Sequence, residues 1–156
     1  MTAIGEVDEA NSAIGVAIAT LEPGRLTNQL RAIQNELFDL GADLATPEGI
    51  EGALRIVDSQ VTRLEREIDA MNEALAPLTS FILPGGSLAV AQIHLARCVV
   101  RRAERAAVAL SEAEPVNPHA LAYLNRLSDH LFVAARHLAA AEGGDVLWQP
   151  GATRGE

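Results

Sequence analysis

An all-α fold, a bundle of five helices, is what this sequence predicts, and three observations predict it. Nearly half of the 156 residues are apolar (49%), with alanine and leucine prominent and only 3% aromatic, a composition that suits helix packing better than sheets. Apolar residues recur at intervals of three and four along the long stretches of the chain. Proline and glycine gather between those stretches and mark the connections. Four long helices and a shorter one follow. The length falls within the roughly 100–200 residues of a single domain, so residues 1–156 are read as one unit.

The first helix is expected from Val7 to Leu21, with Val7, Ala10, Ile14, Ala17, Ile18 and Leu21 on its core face. Asp8, Asn11 and Gly15 fall on a separate small or polar face, where another backbone can approach. Pro23-Gly24 stops it. The second runs from Arg25 to Leu44 on Leu26, Leu30, Ile33, Leu37, Leu40 and Leu44, and the third from Leu54 to Leu75 on Val57, Val61, Leu64, Ile68, Met71 and Leu75. The alternating charges of the third (Arg63, Glu65, Arg66, Glu67, Asp69) read as a solvated face. The fourth follows the bend Pro84-Gly85-Gly86 and takes Ser87 as its N-cap. The fifth runs from His119 to Ala141 and buries Leu124, Leu127, Leu131, Ala135 and Leu138. Gly143-Gly144 closes it, and residues 143–156 form an irregular tail.

Charge and cysteine content narrow the function classes. A net charge of −9 argues against nucleic acid or an anionic membrane as partner, because both demand a basic face. The single cysteine, Cys98, allows no internal disulfide, fits a reducing cytoplasmic compartment, and reads as a small buried hydrophobe. No run of about 18 apolar residues is present to span a bilayer, and no signal-peptide pattern appears.

The stretch Phe81–Leu110 carries the chemistry. At 3.6 residues per turn, His94, Arg97, Arg101, Glu104 and Arg105 share one stripe of the fourth helix, while Ile93, Ala96, Val100, Ala103, Ala107 and Leu110 share an apolar one. Stacked arginines repel by a few tenths of a kcal/mol per pair, so they need anions: carboxylates of another helix or subunit, or the phosphates of a ligand. On the fifth helix, Asn125, Asp129, Phe132 and Arg136 share a stripe. Arg101, Arg105, Glu104 and Asn125 together can hold a nucleotide, with guanidinium forks on phosphate oxygens, the amide on a sugar or base edge, and Glu104 steering an arginine or a magnesium ion. The other reading of the same residues is a buried ion-pair network that keeps helices in register. His94 on the arginine stripe is placed to act as an acid or base, but the favoured reading is a packing histidine bonded to a backbone carbonyl. None of the four histidines has a glutamate three residues before it, which argues against a di-iron bundle, and one cysteine argues against zinc.

These blocks also carry a resemblance. FILPGGS, HLARCVVRRAER, YLNRLSDHLFVAAR and DVLWQPG, with GEVDEANSAIG at Gly5–Gly15 and QNELFDLGADLATP at Gln34–Pro47, are similar to the PduO-type ATP:cob(I)alamin adenosyltransferases over nearly the whole chain. The resemblance implies a ferritin-like up-down bundle assembling as a homotrimer with sites at subunit interfaces. It implies transfer of the 5′-deoxyadenosyl group of ATP to the cobalt of cob(I)alamin, with ATP, Mg²⁺ and cobalamin as the small molecules. Arg101, Arg102, Glu104, Arg105 and Asn125 would bind ATP. Asp8 and Arg97 would pair across the interface near both ligands, and Phe81, Asp129 and Phe132 would line the corrin side. Arg101, Asp8 and Arg97 are the residues expected to bear on catalysis; no metal ligand is singled out. A corrinoid reductase and an adenosylcobalamin-dependent enzyme are the partners implied.

One part of the family pattern is missing from the sequence. The family begins with a Gly- and Thr-rich phosphate loop of the Thr-Gly-Asp-x-Gly-Thr kind, whereas Met1-Thr2-Ala3-Ile4 leads here directly into Gly5-Glu6-Val7-Asp8. Either the sequence is a shortened one or the chain is a divergent member, and a divergent member should hold ATP poorly for want of backbone N–H donors. Two rivals to the enzyme therefore stand: a non-catalytic corrinoid-binding or delivery protein, and a helical oligomer whose arginines only make ion pairs.

Overall fold

In the computed structural model, which describes residues 1–155, local capping sets some helix ends and packing sets the others. The helices are α1 (Thr2–Ala19), α2 (Arg25–Ala45), α3 (Asp58–Asn72), α4 (Leu88–Ala113) and α5 (Pro118–Ala140), and the described residues contain no strand beyond one isolated bridge, Ile82 opposite Leu147. Ser87 caps α4 by accepting from the Val90 amide at 3.3 Å. Asn117 caps α5, accepting from the His119 amide at 3.0 Å, and Pro118 takes the first helical position, where its missing N–H costs nothing.

Two expected helices have different bounds. α1 begins at Thr2 rather than Val7, because Ala3 is already buried against the bundle and draws the first turn in. α3 loses a turn at each end. Its expected start is held extended by Asp43 of α2, whose carboxylate accepts from the Ile56 amide at 2.8 Å, from Arg55 Nη1 at 2.8 Å and from Asn117 Nδ2 at 2.8 Å. Gln60 then caps the Val57 amide at 2.9 Å, and the helix starts there.

The neighbours run in the order α2, α1, α4, α5, α3, so α4 is central, packed on α1 and α5. Alanines make this possible. Ala3, Ala10 and Ala17 on α1 and Ala96, Ala103 and Ala107 on α4 are all buried, and small side chains let helix axes approach. Leu30, Ile33, Leu40, Leu64, Ile93, Leu124, Leu127 and Leu131 fill the remaining core, at about 1.5–3 kcal/mol for each fully buried side chain. Gly15 marks a close approach of α1 and α2: a Cβ there would lie 3.0 Å from Gln34 Nε2. Gln34 and Asn11 exchange side-chain-to-backbone bonds at 3.2 and 3.1 Å beside it.

The charges of α3 are only partly solvated. Glu65, Arg66 and Asp69 are exposed, but Arg63 and Glu67 turn inward. Arg63 forks onto Glu36 of α2 (2.5 and 2.9 Å), Tyr123 of α5 donates to the same carboxylate at 2.6 Å, and buried His130 lies 3.3 Å from Glu67. Burial first, and then the Glu36 charge, push the Tyr123 phenol well above its ordinary pKa, so it stays a donor. Cys98, expected inside, is exposed, as is Leu95 three residues before it on α4.

Asp43→Ala should lower the unfolding free energy by about 3 kcal/mol, since the Ile56 amide and Asn117 lose their acceptor in a buried site. A urea titration that leaves the midpoint unmoved would show that this junction does not hold the α2–α3 connection.

Candidate active site

Two lobes of one groove meet on the α4–α5 face. The first, about 500 Å³, is lined by Arg101, Glu104 and Arg105 from α4 and by Asn125, Ser128 and Asp129 from α5. The second, about 380 Å³, is walled by Phe81, Ile82 and Leu78 of the loop before α4, by His94 and Arg97 of α4, and by Phe132 of α5. Arg101, Ser128 and Asp129 line both lobes, so the two adjoin. Helical period explains the arrangement: Arg97, Arg101 and Arg105 stand one turn apart on α4, and Asn125, Asp129 and Phe132 stand opposite on α5.

The first lobe is polar and its cations are free. Among the described residues neither Arg101 nor Arg105 is paired with a carboxylate, whereas Arg55, Arg63, Arg102, Arg126 and Arg136 all are. The reading of this stripe as an internal ion-pair network therefore does not describe Arg101 or Arg105. Glu104 accepts from Asn125 Nδ2 at 3.0 Å and so fixes the amide instead of an arginine. Ser128 donates to the Asn125 carbonyl at 2.8 Å, and Asp129 pairs with Arg126.

Arg102 is placed elsewhere. One residue along a helix turns the side chain by about 100°, so Arg102 faces α1 rather than the groove. There it meets Glu6 at 2.6 Å and Glu9 at 2.5 Å. Glu9 first, then Glu6, raise its pKa above the ordinary guanidinium value.

In the second lobe the Arg97 guanidinium lies 5.8 Å from the centroid of the Phe132 ring, and its Nε is buried without an acceptor. His94 is buried edge-on to Phe132, with centroids 6.5 Å apart. The expected carbonyl partner is not there: its Nδ1 has no hydrogen bond, because the ring is turned toward Phe132. Burial first, then the Arg97 charge, hold the His94 pKa below its usual value, against the opposing pull of Asp145, so the imidazole is neutral at pH 7. Asp8 does not join this groove. It lines a separate depression on the α1–α2 face with Asn11 and Phe38, the latter 72% exposed.

Leu78, Ile82 and Ser128 were not singled out by spacing. Ser128 had a signal, three residues after Asn125 and four before Phe132; the loop residues had none, since a loop has no period.

A helical bundle that sets unpaired arginines and a fixed amide beside an aromatic-walled hollow defines a class: a protein for an anionic ligand joined to a large apolar one. The chain belongs to the cobalamin adenosyltransferase family, whose sequence model matches residues 1–138. It is 50% identical over 160 residues to the corrinoid adenosyltransferase of Mycobacterium tuberculosis (strain ATCC 25618 / H37Rv), covering 99% of this chain and 82% of that one. To the corrinoid adenosyltransferase of Bacillus subtilis (strain 168) it is 45% identical over 150 residues, covering 93% and 77%. Among solved structures, a phenylalanine-to-alanine variant of the PduO-type ATP:corrinoid adenosyltransferase from Lactobacillus reuteri, complexed with cobalamin and ATP, superposes with a TM-score of 0.88. The two are 38% identical, over 94% of this chain and 84% of that one.

Proposed function

We propose that this chain, a corrinoid adenosyltransferase by family, carries out its reaction in the α4–α5 groove, with ATP in the polar lobe and the corrinoid against the phenylalanine lobe. The cobalt(I) electron pair attacks C5′ of ATP, the C5′–O bond breaks, and triphosphate leaves with the bonding electrons. The observation that carries this reading is the pair of unpartnered guanidinium groups, Arg101 and Arg105, opening onto a lobe that adjoins the aromatic one. Fixed donors aimed where charge develops lower the barrier, and these two stand where a departing polyphosphate needs them. Asn125, its amide held by Glu104, presents its carbonyl oxygen to the nucleoside. Cobalt(I) is its own nucleophile, so the protein's work is placement of cobalt against C5′ and exclusion of water.

Magnesium fits as a companion of the nucleotide. The described residues hold no group of three or more His, Cys, Asp or Glu side chains able to bind a metal alone. Mg²⁺ is usually held by one or two carboxylates, substrate phosphates and waters, and Glu104 and Asp129 line the lobe. Bound there it would neutralise part of the triphosphate charge.

The working unit in this reading is a homotrimer, in which Asp8 of one copy meets Arg97 of the next. Within one chain the two residues lie on different faces, and Phe38 beside Asp8 is uncovered. No helix among the described residues is long and apolar enough to cross a membrane. We place the enzyme in the cytoplasm, where an exposed thiol such as Cys98 stays reduced, beside a corrinoid reductase and an enzyme that consumes the product.

Anaerobic formation of adenosylcobalamin from ATP and chemically reduced cobalamin, followed by absorbance, tests the activity; corrinoid binding without ATP turnover would favour a carrier. Arg97→Ala should shift sedimentation toward the monomer or raise the KM of both substrates several-fold, about 1–2 kcal/mol. The exchange Asp8→Arg with Arg97→Asp should restore assembly. A trimer with normal kinetics in Arg97→Ala would refute the pairing.

A further inference from the structure

The tail after α5 is tied to the loop that carries Phe81 by contacts the helices themselves do not require. Gly143 and Gly144, at φ of 102° and 103°, reverse the chain in a region side-chain-bearing residues avoid, and the Gly144 amide bonds back to the Ala139 carbonyl at 2.8 Å. The reversal returns Asp145 to Arg136. That guanidinium is buried, and it reaches two segments at once: Nε donates to Asp145 Oδ2 at 3.1 Å and Nη2 to the Ala76 carbonyl at 2.9 Å.

Beyond this anchor the two segments pair. The Leu83 amide donates to the Val146 carbonyl and the Trp148 amide to the Phe81 carbonyl, both at 2.8 Å, with Ile82 opposite Leu147. The Ser80 hydroxyl donates to the Trp148 carbonyl at 2.9 Å, and the rings of Phe81 and Trp148 lie 5.8 Å apart.

Phe81 is 77% exposed, so no core holds its ring in place. A two-stranded pair is marginal in water without something to pack on or to tie its ends. Arg136 supplies the tie. It lies one turn beyond Phe132 on the same stripe of α5, at the root of both segments.

We propose that Arg136 is a positioning residue for the corrinoid: through Asp145 and the Ala76 carbonyl it clamps the tail to the Phe81 loop and sets where Phe81, with Trp148 against its ring, stands at the apolar lobe. This rests on the reading of that lobe as the corrinoid side. Phe81 and Ile82, the residues paired with the tail, line that lobe, so the clamp borders the site. A corrinoid bound in that lobe would lie against Phe81, and a wall out of place would leave room for a further ligand at cobalt(II).

The test compares the unsubstituted chain with its Arg136→Met and Asp145→Asn forms. Hydrogen exchange at the Leu83 and Trp148 amides should accelerate in step, by about tenfold or more in Arg136→Met and less in Asp145→Asn, which keeps an acceptor. The Kd for cob(II)alamin in the presence of ATP should rise about tenfold, and the four-coordinate cobalt(II) signal in electron paramagnetic resonance should fall. ATP affinity should stay within about twofold. Unchanged exchange at the two amides, or an unchanged four-coordinate signal, overturns the clamp. So does a parallel loss of ATP affinity, corrinoid affinity and thermal midpoint, which is what a merely structural ion pair would give. Activity of the unsubstituted chain is measured first: if it forms no adenosylcobalamin, the reading of the lobe fails, whereas an active chain whose Arg136→Met form keeps the signal sinks the clamp alone.

Discussion

Arg101→Ala should lower kcat for adenosylcobalamin formation by about 10²–10³-fold while leaving the oligomer and the melting temperature nearly unchanged. The size follows from losing one fixed donor at a site of developing negative charge, about 3–4 kcal/mol in such sites. The selectivity follows from the structure. Arg101 is exposed, lines both lobes, and has no carboxylate partner whose burial its loss would strand. Arg101→Lys should fall between, because an ammonium keeps the charge and loses the planar fork that grips two phosphate oxygens. Single-turnover rates with pre-bound substrates, read beside size-exclusion profiles, separate chemistry from assembly. A variant turning over at the normal rate would remove Arg101 from the phosphate site and with it the argument from unpaired guanidinium groups.

Phe132→Ala should slow reduction of bound cobalt(II) by about ten- to a hundredfold, some 1.4–2.7 kcal/mol, with ATP affinity changed by less than about threefold. Cobalt(II) is hard to reduce while a fifth ligand donates to it, and Phe132 is part of the wall that would keep such a ligand off. Its ring takes the Arg97 guanidinium on one side and the edge of His94 on the other. Removing it opens space for water at the metal and frees two polar side chains to move. Half-buried, it should contribute about 1–2 kcal/mol to folding, less than a core phenylalanine. Reduction followed with a defined low-potential donor, alongside ATP titration of the same sample, checks this. Equal losses in both would mark Phe132 as ordinary packing.

Much of this is legible in the order of the residues. Val7, Ala10, Ile14 and Ala17 on α1, or Leu30, Ile33, Leu37 and Leu40 on α2, announce a buried face by spacing alone, and the structure buries all of them. Ser87 acts as the cap its type and place promised. The stripes of α4 and α5 also put Arg101, Arg105, Asn125, Asp129 and Phe132 on the correct flanks, and the groove forms between them. The misreadings share a cause. Arg63 and Glu67 look like members of a solvated face until Glu36, Tyr123 and His130 are known to lie opposite. Arg102 adjoins Arg101 in sequence, yet α1 takes it. The clamp of Arg136 on Asp145 joins segments that no periodicity links.

Five helices, the Ser87 cap and the flanks their side chains share follow from residue order alone, because those depend on a repeat of 3.6 residues and on hydrogen bonds made within a turn. Only the tertiary structure decided which charges are neutralised and which stay open, because a charge is satisfied by whatever packs against its helix, and that neighbour is brought there by distant parts of the chain. Arg102 and Arg101 differ by one position and about 100° of rotation; facing α1 made the first a structural tie, and facing the groove left the second available to a ligand.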